Sequence, residues 1–109
     1  MRLKAILVSA LMVAGAGGAQ ALSPAAQRGY VFVQTNCSKC HAVGRFGDSP
    51  LAIAPPFRTL HERYPVESLA EALAEGIVVG HPTMPQFVLD PAQIDDVISY
   101  LKSLETPVQ

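Results

Sequence analysis

Only two cysteines occur in this 109-residue chain, and both stand in one short run, Cys37-Ser38-Lys39-Cys40-His41. That run constrains the fold more than any other feature, because it commits two thiols and an imidazole to a single turn of chain. A thiol pair this close has three readings: a disulfide, a thioredoxin-like redox pair, or a covalent haem attachment site. A thioredoxin-like pair needs a strand before it and a βαβ unit around it, and neither is legible. A zinc site needs four ligands, and His61 and His81 do not form a second pair at short spacing. The histidine decides for haem. Cysteines three apart can bond to the two vinyl groups along one side of the ring, and His41 then lands beneath the iron.

The N-terminus supports an oxidising, exported setting. Met1, Arg2, Leu3 and Lys4 make a short positive start, an apolar run follows from Ala5 to about Ala16, and small residues lead to Ala19-Gln20-Ala21. These three parts are what signal peptidase reads, so residues 1–21 are expected to be a signal peptide cleaved after Ala21. The apolar run falls short of the roughly 20 residues that cross a bilayer. Cleavage leaves 88 residues, 22–109, as one small domain in which core burial alone is marginal. Such a domain needs a staple, and a bound haem would be one. The mature chain keeps six of the eight basic residues and all nine acidic ones, a formal charge of minus three. It has no Lys or Arg run and no aromatic ladder, so nucleic acid is not an expected partner.

Three helices and long loops are expected, with no β-alternation to compete. Ser23 before Pro24 is an N-cap followed by a first-position proline, and a helix should run from there to about Asn36. Residues 42–57 carry Gly44, Gly47, Pro50, Pro55 and Pro56, and read as a loop long enough to wrap something functional. A second helix opens at Pro65, with Val66, Leu69, Ala70, Leu73 and Ala74 on one face and Glu67, Glu71 and Glu75 on a solvated one; Gly76 ends it. After a loop over residues 77–89, Asp90-Pro91-Ala92-Gln93 sets a capping box for the last helix. Its stripe is Ile94, Val97, Ile98, Leu101 and Leu104.

Within this frame His41 is the expected proximal ligand through Nε2, its other ring nitrogen tied to a backbone carbonyl that sets the tautomer. The proline-rich turn Ala54-Pro55-Pro56-Phe57 is the candidate source, with Pro55 favoured. Met84 is the only methionine left after cleavage, since Met1 and Met12 depart. It sits in Pro82-Thr83-Met84-Pro85, where prolines stiffen the loop, and it is the expected sixth ligand. His81 is its rival in the same loop.

At these residues the chain resembles the class I c-type cytochromes over essentially all of residues 23–105. Gly29 and Val33 match a glycine and a core side chain ahead of the family's haem motif, with valine where an aromatic is usual. Val97, Tyr100 and Leu101 match its last helix, which crosses the first at that glycine, and Met84-Pro85 matches its axial loop. Gly80-His81-Pro82 makes it most similar to small bacterial periplasmic members. The resemblance implies an all-α fold around one haem c, held by Cys37 and Cys40, with six-coordinate iron between His41 and Met84 and no substrate pocket. Thioether ligation and burial both favour ferrous iron, so a fairly positive potential is implied.

The function implied is one-electron transfer in the periplasm rather than catalysis. A soluble shuttle between redox proteins ranks first, and a cytochrome subunit of a larger oxidoreductase, such as a sulfur-compound or small-molecule dehydrogenase complex, second. A haem enzyme or gas sensor, in which Met84 lets go, ranks third. The resemblance further implies transient docking of partners at the haem edge beside the cysteines, with Lys39 and Arg45 on its rim.

Overall fold

The computed structural model describes residues 2–10, 21–76 and 84–106. Among these residues the chain forms α1 (Pro24–Asn36), α2 (Leu69–Glu75) and α3 (Pro91–Ser103), with 3₁₀ turns at Phe57–Glu62 and Val66–Ser68 and no strand. The all-α expectation therefore holds. Both long helices begin where their caps predict. Ser23 Oγ accepts from the Ala26 N–H at 3.1 Å. At α3 the capping box is reciprocal: Asp90 Oδ1 accepts from the Gln93 N–H at 2.8 Å, and Gln93 Oε1 accepts from the Asp90 N–H at 3.1 Å.

The core is built where α1 crosses α3. Gly29 makes the crossing possible, because a Cβ on it would stand 2.0 Å from the Asp96 carbonyl oxygen and 2.9 Å from Tyr100 Cβ. Around that contact Ala26 and Val33 of α1 are buried against Ile94, Val97 and Leu101 of α3. Arg28 braces the same crossing from outside, donating through Nε to Asp96 Oδ2 and through Nη2 to Oδ1, each at 3.1 Å. Tyr100, buried and packed on Tyr30 with ring centroids 5.4 Å apart, donates its hydroxyl to the Val43 carbonyl. A loop residue is thereby held to the last helix.

The second helix differs from the expectation in its first turn. Val66–Ser68 winds as 3₁₀, with the Ser68 N–H on the Pro65 carbonyl at 3.0 Å, before α2 proper begins at Leu69. A 3₁₀ residue advances the helix by about 120° where an α residue advances it by about 100°, so three of them turn everything after by roughly 60°. Ala74 consequently rotates out to solvent and Ala72 rotates in, while Val66 stays buried and Leu69, Ala70 and Leu73 half-buried. Glu67, Glu71 and Glu75 are exposed as expected. Glu67 is paired across the surface with Lys102 of α3. The Phe57–Glu62 turn was not legible either, since Phe57 and Leu60 three residues apart are too short a pattern to mark a helix.

Candidate functional site

The end of α1 delivers the two-cysteine motif. The helix closes with the Cys37 N–H on the Val33 carbonyl at 2.8 Å, and the Cys40 and His41 N–H groups then both donate to the Cys37 carbonyl, at 3.2 and 3.0 Å. The chain therefore doubles back at once, and Cys40 and His41 leave the same turn as Cys37. The following loop is tied to that turn. Leu51 donates to the Cys40 carbonyl at 3.1 Å, Phe57 to the Ala42 carbonyl at 2.9 Å, and Ser49 Oγ accepts from the Ala42 N–H at 3.0 Å. Arg58 reaches back to the Gly47 carbonyl at 2.8 Å, and Ala54 is fully buried.

These ties bring the Pro55 carbonyl to 2.8 Å from His41 Nδ1. A carbonyl can only accept, so Nδ1 carries the proton and Nε2 keeps its lone pair for a metal. The Phe57 ring lies 4.9 Å from the imidazole, centroid to centroid, and restricts its rotation from the other side. His41 is thus oriented as a ligand needs to be, by a partner on its second nitrogen.

Cys37, His41, Pro55 and Met84 line one cavity of about 720 Å³. Its walls are mostly apolar, with Phe32, Leu60, Leu73, Phe87, Val97 and Leu101 contributed by all three helices and both loops. Phe32 meets Phe87 edge-on at 6.5 Å, so each side of the wall carries an aromatic. Two charged residues, Arg63 and Glu75, reach the lining, and both are exposed. Tyr64 beside them has its hydroxyl pKa raised by burial, against a lowering pull from Arg63. Cys40 is half-buried on the Cys37 turn and is not one of the lining residues.

Burial in the apolar wall pushes the Cys37 thiol up to about 11. What the arrangement suits is a flat, largely apolar ring carrying a metal. The volume falls in the range of small-molecule and cofactor pockets, an oriented imidazole and a thioether share the lining, and a thiol stands ready for covalent attachment.

Of the residues singled out from sequence, Cys37, His41, Pro55 and Met84 meet at this cavity, and His81 lies outside the described residues. Arg45, expected with Lys39 on the rim, lines a surface groove and donates to the Ser103 carbonyl at 2.6 Å and the Thr106 carbonyl at 2.7 Å. Ser103 is the last residue of α3, where carbonyls have no partner within the helix, and Thr106 lies in the chain just beyond it, so the guanidinium ties down the end of α3. Phe32 and Phe87 were missed as wall residues. The signal for Phe32 was available, one position before the valine that stands where an aromatic is usual.

The whole of residues 26–105 matches the family described as Cytochrome c. A protein of Synechocystis sp. described as cytochrome c-553-like is 31% identical over 84 residues, which cover 77% of this chain and 73% of its own length. No solved structure matches the chain. With the attachment motif at Cys37, Cys40 and His41 and the family match spanning both the motif and the cavity, the chain belongs to the cytochrome c family of electron carriers with covalently held haem c.

Proposed function

We propose that this protein is a periplasmic one-electron carrier whose haem is joined to Cys37 and Cys40 and whose iron lies between His41 and Met84. The observation that carries the reading is the shared cavity, in which an imidazole oriented by the Pro55 carbonyl and the Met84 side chain line the same apolar space. When bound, haem c supplies an iron that cycles between ferric and ferrous states with little change in shape. The protein's own part is to keep that site dry and rigid. The apolar lining excludes water, so the ferric state, with its extra charge, is disfavoured. The His41–Pro55 bond would hold the imidazole plane, and the Met84 thioether, as the second protein ligand, would favour ferrous iron. With His41 and Met84 both held to the iron, the group would supply electron transfer and leave no iron position for a substrate.

Export is part of the same reading. Leu3, Ile6, Leu7 and Val8 are all at least 82% exposed, so the described residues 2–10 add nothing to the core, whereas Leu22, at the proposed mature N-terminus, packs against it. An apolar segment left in water is what a cleaved leader looks like in an uncleaved chain. Mass spectrometry of the periplasmic fraction should find an N-terminus at Leu22.

Replacing Met84 tests the ligand set. In haem-loaded Met84→Ala the ferric protein should lose its weak far-red sulfur-to-iron absorption, turn high-spin or take up external ligands, and fall in potential. An unchanged spectrum would move the sixth ligand elsewhere, His81 first. Acid-acetone extraction tests attachment independently: haem should stay with the unmodified protein and be held less firmly after Cys37→Ser or Cys40→Ser.

A further inference from the structure

The glycine that ends α2 is not an ordinary helix cap. A glycine terminating a helix commonly sits near φ about +57° and ψ about +47°. Gly76 has φ 94° and ψ 116°, a conformation in which any L side chain is strained. Its N–H still closes the helix on the Ala72 carbonyl at 2.9 Å, so the unusual ψ costs α2 no hydrogen bond.

The Gln86 side chain lies along this glycine. A Cβ on Gly76 would stand 2.7 Å from Gln86 Nε2, 3.1 Å from Cγ and 3.2 Å from Cδ, which means that the whole length of the glutamine, not only its tip, occupies the space. Deeper in the same neck, the Leu89 N–H donates to the Leu73 carbonyl at 2.9 Å. Two contacts thus join the chain before Met84 to the chain after it, and the outer one lies two residues from the methionine. Gly76, Leu73, Leu89 and Met84 all line the cavity that holds His41.

We propose that Gly76 and Gln86 form a clasp at the base of the Met84 segment, and that this clasp sets how firmly the methionine sulfur is held on the iron. The inference rests on Met84 being the sixth ligand. A thioether is a weak ligand that competes with water and small anions, so its occupancy depends on how little freedom its backbone has. A contact between residues 76 and 86 closes a shorter loop than the one between 73 and 89, and so fixes the Met84 backbone two residues from the methionine. Gly76 and Gln86 are therefore positioning residues, acting on the iron only through Met84.

The experiment compares wild type, Met84→Ala, Gly76→Ala and Gln86→Ala as full-length, haem-loaded ferric proteins, reading the far-red band, the cyanide affinity and the melting temperature. Cyanide binds only when the methionine is off, so its apparent affinity rises in proportion to the methionine-off fraction. Gly76→Ala displaces Gln86 and strains the backbone, and should raise cyanide affinity about tenfold with a weakened far-red band. Gln86→Ala, at an exposed position that α2 does not need, should raise it about threefold at an unchanged melting temperature. It decides the matter if Gly76→Ala fails to fold. Wild-type cyanide affinity in Gln86→Ala, or a rise that only tracks a lost melting temperature, overturns the clasp while leaving Met84 as ligand. If Met84→Ala itself leaves the band and the affinity unchanged, the ligand reading fails and the clasp with it.

Discussion

One methyl group at Gly29 would decide whether the two long helices can meet. A Cβ there would lie 2.0 Å from the Asp96 oxygen and 2.6 Å from its carbonyl carbon, and helix backbone cannot swing aside as a side-chain tip can. Gly29→Ala should therefore destabilise the haem-loaded protein by about 3 kcal/mol through separation of α1 from α3. Gly44→Ala is the control, because nothing lies within 4 Å of the added atom, and it should stay within about 0.5 kcal/mol of wild type. Denaturant midpoints measure both, and equal midpoints would mean that the helices can yield at their crossing. His41, Pro55 and Met84 could be singled out from sequence because each is a residue whose chemistry has few uses at its position, and all three line the cavity, whereas Gly29 was singled out only by the family resemblance. The anchoring of Arg45 was not legible, since its carbonyl partners stand 58 and 61 residues away and nothing local marks them.

At the scale of elements, termini were easier to read than phase. Ser23-Pro24 and the Asp90–Gln93 box carry their own hydrogen-bonding logic, so α1 and α3 begin where the caps say. The phase of α2 depends on whether its first turn is α or 3₁₀, a choice made by packing, and a 60° error follows from about three residues. The Tyr100–Val43 bond shows the same dependence on tertiary context, joining the haem-side loop to α3 across 57 positions. Tyr100→Phe leaves the buried Val43 carbonyl without its donor and should cost about 1–2 kcal/mol near neutral pH. Burial first, and the neighbouring Tyr30 second, raise the Tyr100 pKa above its ordinary 10.0, while Arg45 pulls it down. A group whose pKa is raised by folding contributes stability that is whole below the unfolded value and is lost as pH rises through the folded one. The gap between wild type and Tyr100→Phe should accordingly narrow above about pH 10, and Tyr64, shifted in the same direction, is present in both proteins and cancels. A gap that widens with pH would show that the hydroxyl is not ionising from a buried, bonded state.

At the scale of the whole molecule, the question is where a partner meets this surface. The chain is slightly acidic overall, with nine acidic residues against eight basic ones, so a cation beside the site of electron exit has more effect on approach than one more anion among nine. Lys39 is such a cation: it is exposed and lies between Cys37 and Cys40, whereas the Arg45 guanidinium is anchored to the end of α3. Electron transfer needs a short gap and a brief contact, which favours a small interface with fast exchange over a tight one. In that regime rim charges act mainly on the rate of encounter, and their effect fades as salt screens them over about 10 Å at 0.1 M. Lys39→Glu should therefore change the second-order rate of electron transfer with a redox partner by several-fold at low salt, and should alter its slope against ionic strength. Glu71→Lys makes the same size of charge change in the opposite sense, but on the exposed face of α2, and should move both quantities much less. Stopped-flow rates over a salt series distinguish the two variants. If Glu71→Lys proves the larger perturbation, partners approach along α2, and electrons leave past the Gly76 neck rather than past the cysteine edge.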